Sequence, residues 1–556
     1  MTRPALTFAL AALCASSALA DTLVTNVNGM QVGANGQLEH FTGLLIGKDG
    51  KVRSLLTGAP PPKAFDRTIN GGGKTLLPGL IDAHGHVMGL GFGALQLDLT
   101  GTQSVQDLQA RLRDYAARET GSTWVLGRGW NQELWSEKRF PTAADLDAVV
   151  ADRPVILERV DGHAVVVNSA AMKAAGISAA TKDVAGGKVE RDANGNPTGI
   201  FVDNAIPLVA NQVPAPTAAL RDQALAKAQD ILLSYGLTAT ADMGTSVEDW
   251  DAMQRAGKAG KLNVRIMSYA GGVEPLQTIT KPTPWLFADR LQMGGVKLYA
   301  DGALGSRGAF LKQPYADKPD TRGLQFHSDA ELLGLADQAA SHGFQVAIHA
   351  IGDAANAQAL STYEQLAKKY PGDNRWRIEH AQIVDPADIP RFAKGGIIAS
   401  MQPTHQTSDR LMAEKRLGPD RLDGAYAWQS MIKAGARIAF GSDYPVESPN
   451  PFPGLSAAIS RQDVEGQPPG GWLPAERVSF EQALAGFTRN AAYAGFAEGK
   501  FGTLEPGKWA DFNLVDRDPT QIDAQSLAQT QVLETYVAGK QAWKRPATSV
   551  QTERGK

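Results

Sequence analysis

The sequence predicts an α/β chain: a (β/α)8 barrel, a small β unit assembled from both chain ends, and an insertion domain behind the first barrel strand. Three observations carry that prediction. Eight short apolar runs recur through the middle of the chain, several stretches of helical spacing fall between them, and glycine-punctuated strand patterns stand at both ends. With 556 residues, 43% of them hydrophobic and 20% charged, the chain exceeds one simple domain and has the composition of a globular enzyme. Its 55 basic and 58 acidic side chains leave a net charge of -3. That balance gives no electrostatic argument for nucleic acid or an anionic membrane as partner.

The elements follow in chain order. Residues 1–20 read as a cleaved secretory signal: Arg3, an apolar run over 5–13, and an Ala18-Leu19-Ala20 end. The run is too short for a permanent anchor, so no membrane insertion is expected after cleavage. The only cysteine, Cys14, lies inside this leader, so every metal ligand of the mature chain must offer N or O. A bacterial periplasmic or secreted location is the expectation. Residues 21–74 form the first part of the β unit, 75–498 the barrel, and 499–556 the second part of the β unit with a tail. The expected barrel strands are 75–87, 238–243, 264–270, 295–300, 345–348, 376–379, 397–401 and 437–440, with helical spacing over 217–235, 330–342 and 354–370. The insertion covers about 101–221 and contains a Gly/Asp/Asn-rich stretch, 186–199, that reads as a hairpin.

The first strand ends Ile81-Asp82-Ala83-His84-Gly85-His86. Side chains alternate along a strand, so two imidazoles two residues apart can face one cation. Further strands end in His349, in Glu379-His380 and, just past Phe440, in Asp443. In a barrel such positions converge on the C-terminal mouth, where catalytic groups gather. Lys297 stands within another apolar strand, a costly position unless its charge is paired or removed. From the residues alone three readings of Lys297 stay open: a metal-site group, a snorkelling side chain, and an ion pair with Asp301.

The stretches Leu77-Pro78-Gly79-Leu80-Ile81-Asp82-Ala83-His84-Gly85-His86, Val296-Lys297-Leu298-Tyr299-Ala300-Asp301-Gly302, Ile348-His349-Ala350-Ile351-Gly352-Asp353, Arg377-Ile378-Glu379-His380 and Gly441-Ser442-Asp443-Tyr444-Pro445-Val446 resemble the amidohydrolase superfamily, and within it the amidohydrolase-3 (YtcJ-like) group. The resemblance runs from about residue 22 to 519. It implies a TIM-type barrel with a flanking β-sandwich from both chain ends, and metal-site roles for His84, His86, Lys297, His349, His380 and Asp443. Lys297 matches a bridging lysine that is carboxylated by CO₂ in many members (N6-carboxylysine). One or two divalent ions are implied, zinc foremost, to activate water and polarise a carbonyl. Asp443 then takes a proton from that water and passes it to the departing amine. Segments of the insertion resemble those that roof the active site in relatives. They offer Trp130 and Trp135 as pocket walls and His163 as a hydrogen-bond partner for substrate. His405 is a weaker pocket candidate.

The resulting expectation is an exported amidohydrolase cleaving a C–N bond in a small-molecule amide, N-acyl or N-formyl, with a homodimer allowed. Two alternatives stay open: a cyclic amide or ester hydrolase or a deaminase on the same barrel, and a non-catalytic periplasmic protein that keeps the metal cage for binding.

Overall fold

The computed structural model describes residues 22–61, 64–119, 123–159, 162, 164–184 and 187–546. The expected leader and His163 lie outside them. Eight parallel strands form the central sheet: β1 (Leu80–Gly85), β2 (Leu237–Thr245), β3 (Arg265–Gly271), β4 (Leu291–Tyr299), β5 (Gln345–Ala350), β6 (Arg377–His380), β7 (Ile398–Met401) and β8 (Arg437–Phe440). Each pairs with its neighbours in sequence order. The circle closes between β1 and the residues after β8, where the Asp443 amide donates to His84 O at 2.7 Å and the His86 amide to Tyr444 O at 2.8 Å. The strands are largely buried along their length, as expected of parallel strands covered on both faces.

Helices follow where Ser or Thr precedes a run of helical spacing. Thr217, Ser246, Ser328 and Ser479 each accept a backbone N–H of the first turn of Ala218–Ser234, Val247–Lys258, Asp329–Ser341 and Phe480–Gly486. Ser328 and Ser479 complete capping boxes with Glu331 and Gln482. The alternation has one gap: between β3 and β4 only a 3-10 turn, Glu274–Gln277, is formed.

The expected first strand, 75–87, divides in two. Residues Arg67–Pro78 belong to the flanking sheet and Leu80–Gly85 to the barrel. Pro78 brings no N–H to a ladder. At Gly79 the backbone packs so tightly on β2 that an added Cβ would lie 2.1 Å from Thr238 Oγ1. The flanking sheet has seven strands, ordered Lys540–Lys544, Val532–Val537, Phe512–Val515, Arg67–Pro78, Thr22–Val32, Leu38–Ile46 and Val52–Leu56. The chain ends meet where Phe512–Val515 runs antiparallel to Arg67–Pro78. They enclose their own core of Val24, Phe41, Leu44, Leu76 and Phe512, the last stacked on Tyr536 at 4.4 Å. A buried ion pair, Arg265 Nε to Asp511 Oδ2 at 2.6 Å, ties β3 to the start of this returning strand.

The insertion builds a six-stranded sheet of its own. The hairpin expected at 186–199 forms its edge, with Gly187–Arg191 antiparallel to Pro197–Asp203. Trp130 and Trp135 are the anchors of this sheet's core and do not wall the cavity at the barrel mouth. Both are fully buried, and their indole N–H groups donate to Leu157 O and Thr102 O, each at 2.8 Å. A large amphipathic ring is worth most where its area is covered and its N–H is paired, and the insertion's interior supplies both.

Candidate active site

Around the barrel mouth a cavity of about 380 Å³ is lined by His84, His86, Lys297, His349, His380, His405 and Asp443, with Tyr299, Leu304, Met412 and Val446 on its apolar side. The chain reaches this arrangement by leaving regular pleat at the strand ends. His380 has φ 74° and Asp443 φ 62°, left-handed values that cost non-glycine residues of the order of 1–3 kcal/mol. The turn at His380 lets two consecutive residues serve one site. Glu379 bonds to His84, while the His380 ring lies 4.7 Å from the His84 ring and 4.5 Å from that of His349.

The imidazoles are held from behind. His84 Nδ1 donates to Glu379 Oε2 at 2.6 Å, which leaves the Nε2 lone pair facing Asp443 Oδ1 at 3.5 Å and Lys297 Nζ at 3.4 Å. His380 Nδ1 donates to Gln402 Oε1 at 2.9 Å, leaving its Nε2 free in the same way. His86 Nε2 lies 3.1 Å from Asp443 Oδ1. His349 Nε2 is buried and has no hydrogen-bond partner among the described residues; it lies 3.5 Å from Asp301 Oδ1. Asp82 straps β1 to the end of β8, accepting from the His84 amide at 3.0 Å, the Ser442 amide at 3.1 Å and Ser442 Oγ at 2.7 Å.

Asp301 is not the counterion of Lys297. Its carboxylate accepts the backbone amides of Phe310, Ile351 and Gly352 at 2.8–3.0 Å, pinning the loop after β4 to the loop after β5. Lys297 does not snorkel either, being 1% exposed. Its charge faces the histidine cluster.

Electrostatics prepare these groups for a cation. Burial, then the charge of Lys297, pushes His84 down to about 4 and His349 down to about 3, and burial with neighbouring imidazoles drives His380 well below its ordinary value. They stand neutral, as ligands must. Burial would raise Asp443, but His84, His86 and His405 overcome it and hold the carboxylate at about 2. Burial brings Lys297 down to about 8. Glu379 is likewise opposed by burial yet held far below the carboxylate range by Arg377, His84 and Lys297. Arg377 reaches both of its oxygens, at 2.7 and 3.1 Å.

The donor set fits a divalent ion. Ligand atoms of His84, His86 and Asp443 lie within 4.8 Å of one another, and so do those of His380, His405 and Asp443. Asp443 belongs to both sets. Of the residues anticipated from sequence, His84, His86, Lys297, His349, His380 and Asp443 share this cavity, and Trp130 does not. Sequence reasoning assigned no role to Glu379, Arg377 or Asp82. The signal was present in Arg377 and Glu379, opposite charges two apart in a buried strand, and in Asp82, two before His84.

A closed parallel barrel with imidazoles, a carboxylate and a buried lysine converging at one mouth defines a metal-dependent hydrolase. The chain belongs to the amidohydrolase family, whose profile matches residues 67–542. It is 34% identical to YtcJ of Bacillus subtilis, a match covering 86% of this chain and 90% of that protein. It is 28% identical to the N-substituted formamide deformylase of Arthrobacter pascens, over 90% of this chain and 93% of that one. A solved metal-dependent hydrolase of Pyrococcus horikoshii superposes with a TM-score of 0.75 at 26% identity, covering 90% of this chain and 99% of the other.

Proposed function

We propose that this protein is an exported amidohydrolase that cleaves the C–N bond of a small N-acyl or N-formyl amide. The observation that carries the reading is the place of Asp443: one carboxylate, held ionised, with Oδ1 3.1 Å from His86 Nε2 and Oδ2 3.7 Å from His405 Nε2, facing the cavity. The relative named for removing a formyl group from substituted formamides supports the choice of bond.

In this reading His84, His86 and Asp443 would hold one divalent ion, zinc, and His349 and His380 would hold a second. Lys297, as a carbamate formed when its amine adds CO₂ and releases a proton, would supply a further anionic ligand. When bound, the metal supplies the Lewis acidity that lowers the pKa of water and polarises the carbonyl. Asp443 takes the proton of the attacking water as the new C–O bond forms. It returns that proton to the amide nitrogen as the C–N bond breaks, giving a carboxylate and an amine. Glu379 and Gln402 keep His84 and His380 in the tautomers that leave Nε2 unprotonated. Tyr299, Leu304, Met412 and Val446 offer an apolar wall to the acyl or amine substituent. The N-terminal pattern ending Ala18-Leu19-Ala20 supports export.

The test is a panel of N-substituted formamides and N-acetyl amines supplied to the zinc-loaded chain, with acid and amine measured separately. Stoichiometric release of both is expected, and Asp443→Asn abolishes it even in samples whose metal content, measured alongside, has been restored with excess zinc. Ammonia without carboxylate would indicate a deaminase. Metal binding with no turnover of any amide would indicate a binding protein.

A further inference from the structure

His405 lines the cavity but takes no part in the proton transfers assigned to Asp443. It lies in the first turn of the helix Pro403–Leu417, directly beyond β7, and is 7% exposed. Its Nδ1 accepts a hydrogen bond from Gln382 Nε2 at 3.2 Å. The Gln382 backbone is held by the Tyr426 amide, which donates to Gln382 O at 2.6 Å; the Tyr426 hydroxyl, which donates to Asp409 Oδ2 at 2.7 Å, lies 3.3 Å from Gln382 Oε1. An imidazole whose Nδ1 accepts carries its proton on Nε2. Among the described residues that buried Nε2 has no hydrogen-bond partner; Asp443 Oδ2 is 3.7 Å away. Buried donors are nearly always paired, so an unpaired one on a side chain that lines a cavity marks where a ligand atom is to sit.

We infer that His405 is a further catalytic residue, its Nε2–H donating to the amide carbonyl oxygen and to the oxyanion that oxygen becomes. The inference rests on the amide-hydrolysis reading and assigns a donor within it. An amide offers its nitrogen-bound hydrogen as a donor and its carbonyl oxygen as the one good acceptor, so an N–H on a side chain lining the substrate cavity selects the oxygen. Asp443, which handles the proton, lies beside the same nitrogen, so base and donor flank one reacting carbon. Negative charge grows on the carbonyl oxygen during attack, and a fixed donor in a dry pocket stabilises that growth more than it stabilises bound substrate. The cost of orienting the ring is met in advance by Gln382, itself buried. His405 is also within one cation's reach of His380 and Asp443, so the experiment must separate donor from ligand.

Three zinc-loaded proteins are compared: wild type, His405→Phe and His405→Gln. Phenylalanine keeps the ring without the donor; glutamine keeps an N–H at similar reach. Metal content is measured alongside kcat and KM on an N-substituted formamide. The inhibition constant of a phosphonamidate, whose tetrahedral phosphorus carries an oxygen where the oxyanion forms, is measured as well. His405→Phe is expected to lower kcat by about 10²–10³-fold with little change in KM. Zinc content is expected to be unchanged, and phosphonamidate affinity to fall by a similar factor. His405→Gln should recover part of both. Turnover within threefold of wild type in His405→Phe overturns the assignment. So does a loss of zinc in step with activity, which makes His405 a ligand. A wild-type protein that cleaves no amide would instead remove the underlying reading, an outcome seen without either variant.

Discussion

Replacing Glu379 by glutamine separates what holds the fold from what holds the metal. Glu379 and Arg377 are both fully buried, and the carboxylate also receives His84 Nδ1–H at 2.6 Å. Glutamine fills the same space but leaves Arg377 with only neutral partners: Ala83 O, Ser400 Oγ and Tyr269 OH, at 2.6–3.0 Å. Removing one partner of a buried ion pair costs about 3–5 kcal/mol, because the remaining charge stays desolvated. Unfolding entropy is about 2.1 cal/mol/K per residue, or about 1 kcal/mol/K over roughly 500 residues, so the midpoint should fall by about 3–5 °C. His84 loses its anionic partner at the same time, and such a loss weakens metal affinity by about 10–100-fold. The assay is a melting curve of the metal-free protein, together with zinc retained after dialysis against graded chelator. The double variant Arg377→Met/Glu379→Gln should regain much of the stability and none of the zinc retention. The uncompensated charge is then gone while the carboxylate behind His84 is still missing. A single variant that melts with wild type, or a double variant that holds zinc like wild type, would refute the division of roles.

Further outcomes follow from the same geometry. Exhaustive chelation should abolish turnover and zinc should restore it; full activity after metal removal would rule out hydrolysis by metal-activated water. In the metal-free protein, His84 and His349 have folded-state values below the ordinary 6.5, near 4 and 3, through burial and then Lys297. The unfolded chain therefore binds protons that the folded chain refuses as pH falls from about 6.5 toward 4. Stability present above 6.5 drains away across that window, by about 2–3 kcal/mol for His84 alone at pH 4.5. Denaturant midpoints flat from pH 7 to 4.5 would contradict it. Trp130→Ala should cost about 3–5 kcal/mol as a core truncation and leave KM unchanged; a selective rise in KM with normal stability would return Trp130 to the substrate pocket. If Lys297 is carboxylated, the intact mass shows one added CO₂ that acid releases, and Lys297→Ala loses metal; an unmodified lysine in fully active protein would exclude the bridge.

The barrel was legible because parallel strands buried on both faces must read as continuous apolar runs. Runs expected at 345–348, 376–379 and 437–440 became Gln345–Ala350, Arg377–His380 and Arg437–Phe440. The boundary at 78–79 was not legible in the same way. Apolar residues continue through it, and what divides the strand is a missing N–H at Pro78 and the nearness of Thr238 to Gly79, a contact from far along the chain. Trp130 was misplaced for a related reason. Its sequence neighbourhood shows a large ring beside polar residues, and only the tertiary fold shows Leu157 O waiting for the indole N–H.

The candidate site itself was read through strand alternation, and that rule breaks where the chemistry is. Alternation places Glu379 and His380 on opposite faces of β6, so the pair could be read as one site residue with one bystander. The left-handed turn at His380 cancels the alternation and brings both residues to His84, one as the carboxylate behind the ring and the other beside it. Asp443 reaches the same point through the same device, one turn beyond β8. Each turn is a local cost that regular pleat would avoid, met by the packing and hydrogen bonds of the surrounding barrel. A sequence pattern reports the period of a strand well and its departures poorly. In this barrel the departures at His380 and Asp443 help bring imidazoles and one carboxylate to a single cavity.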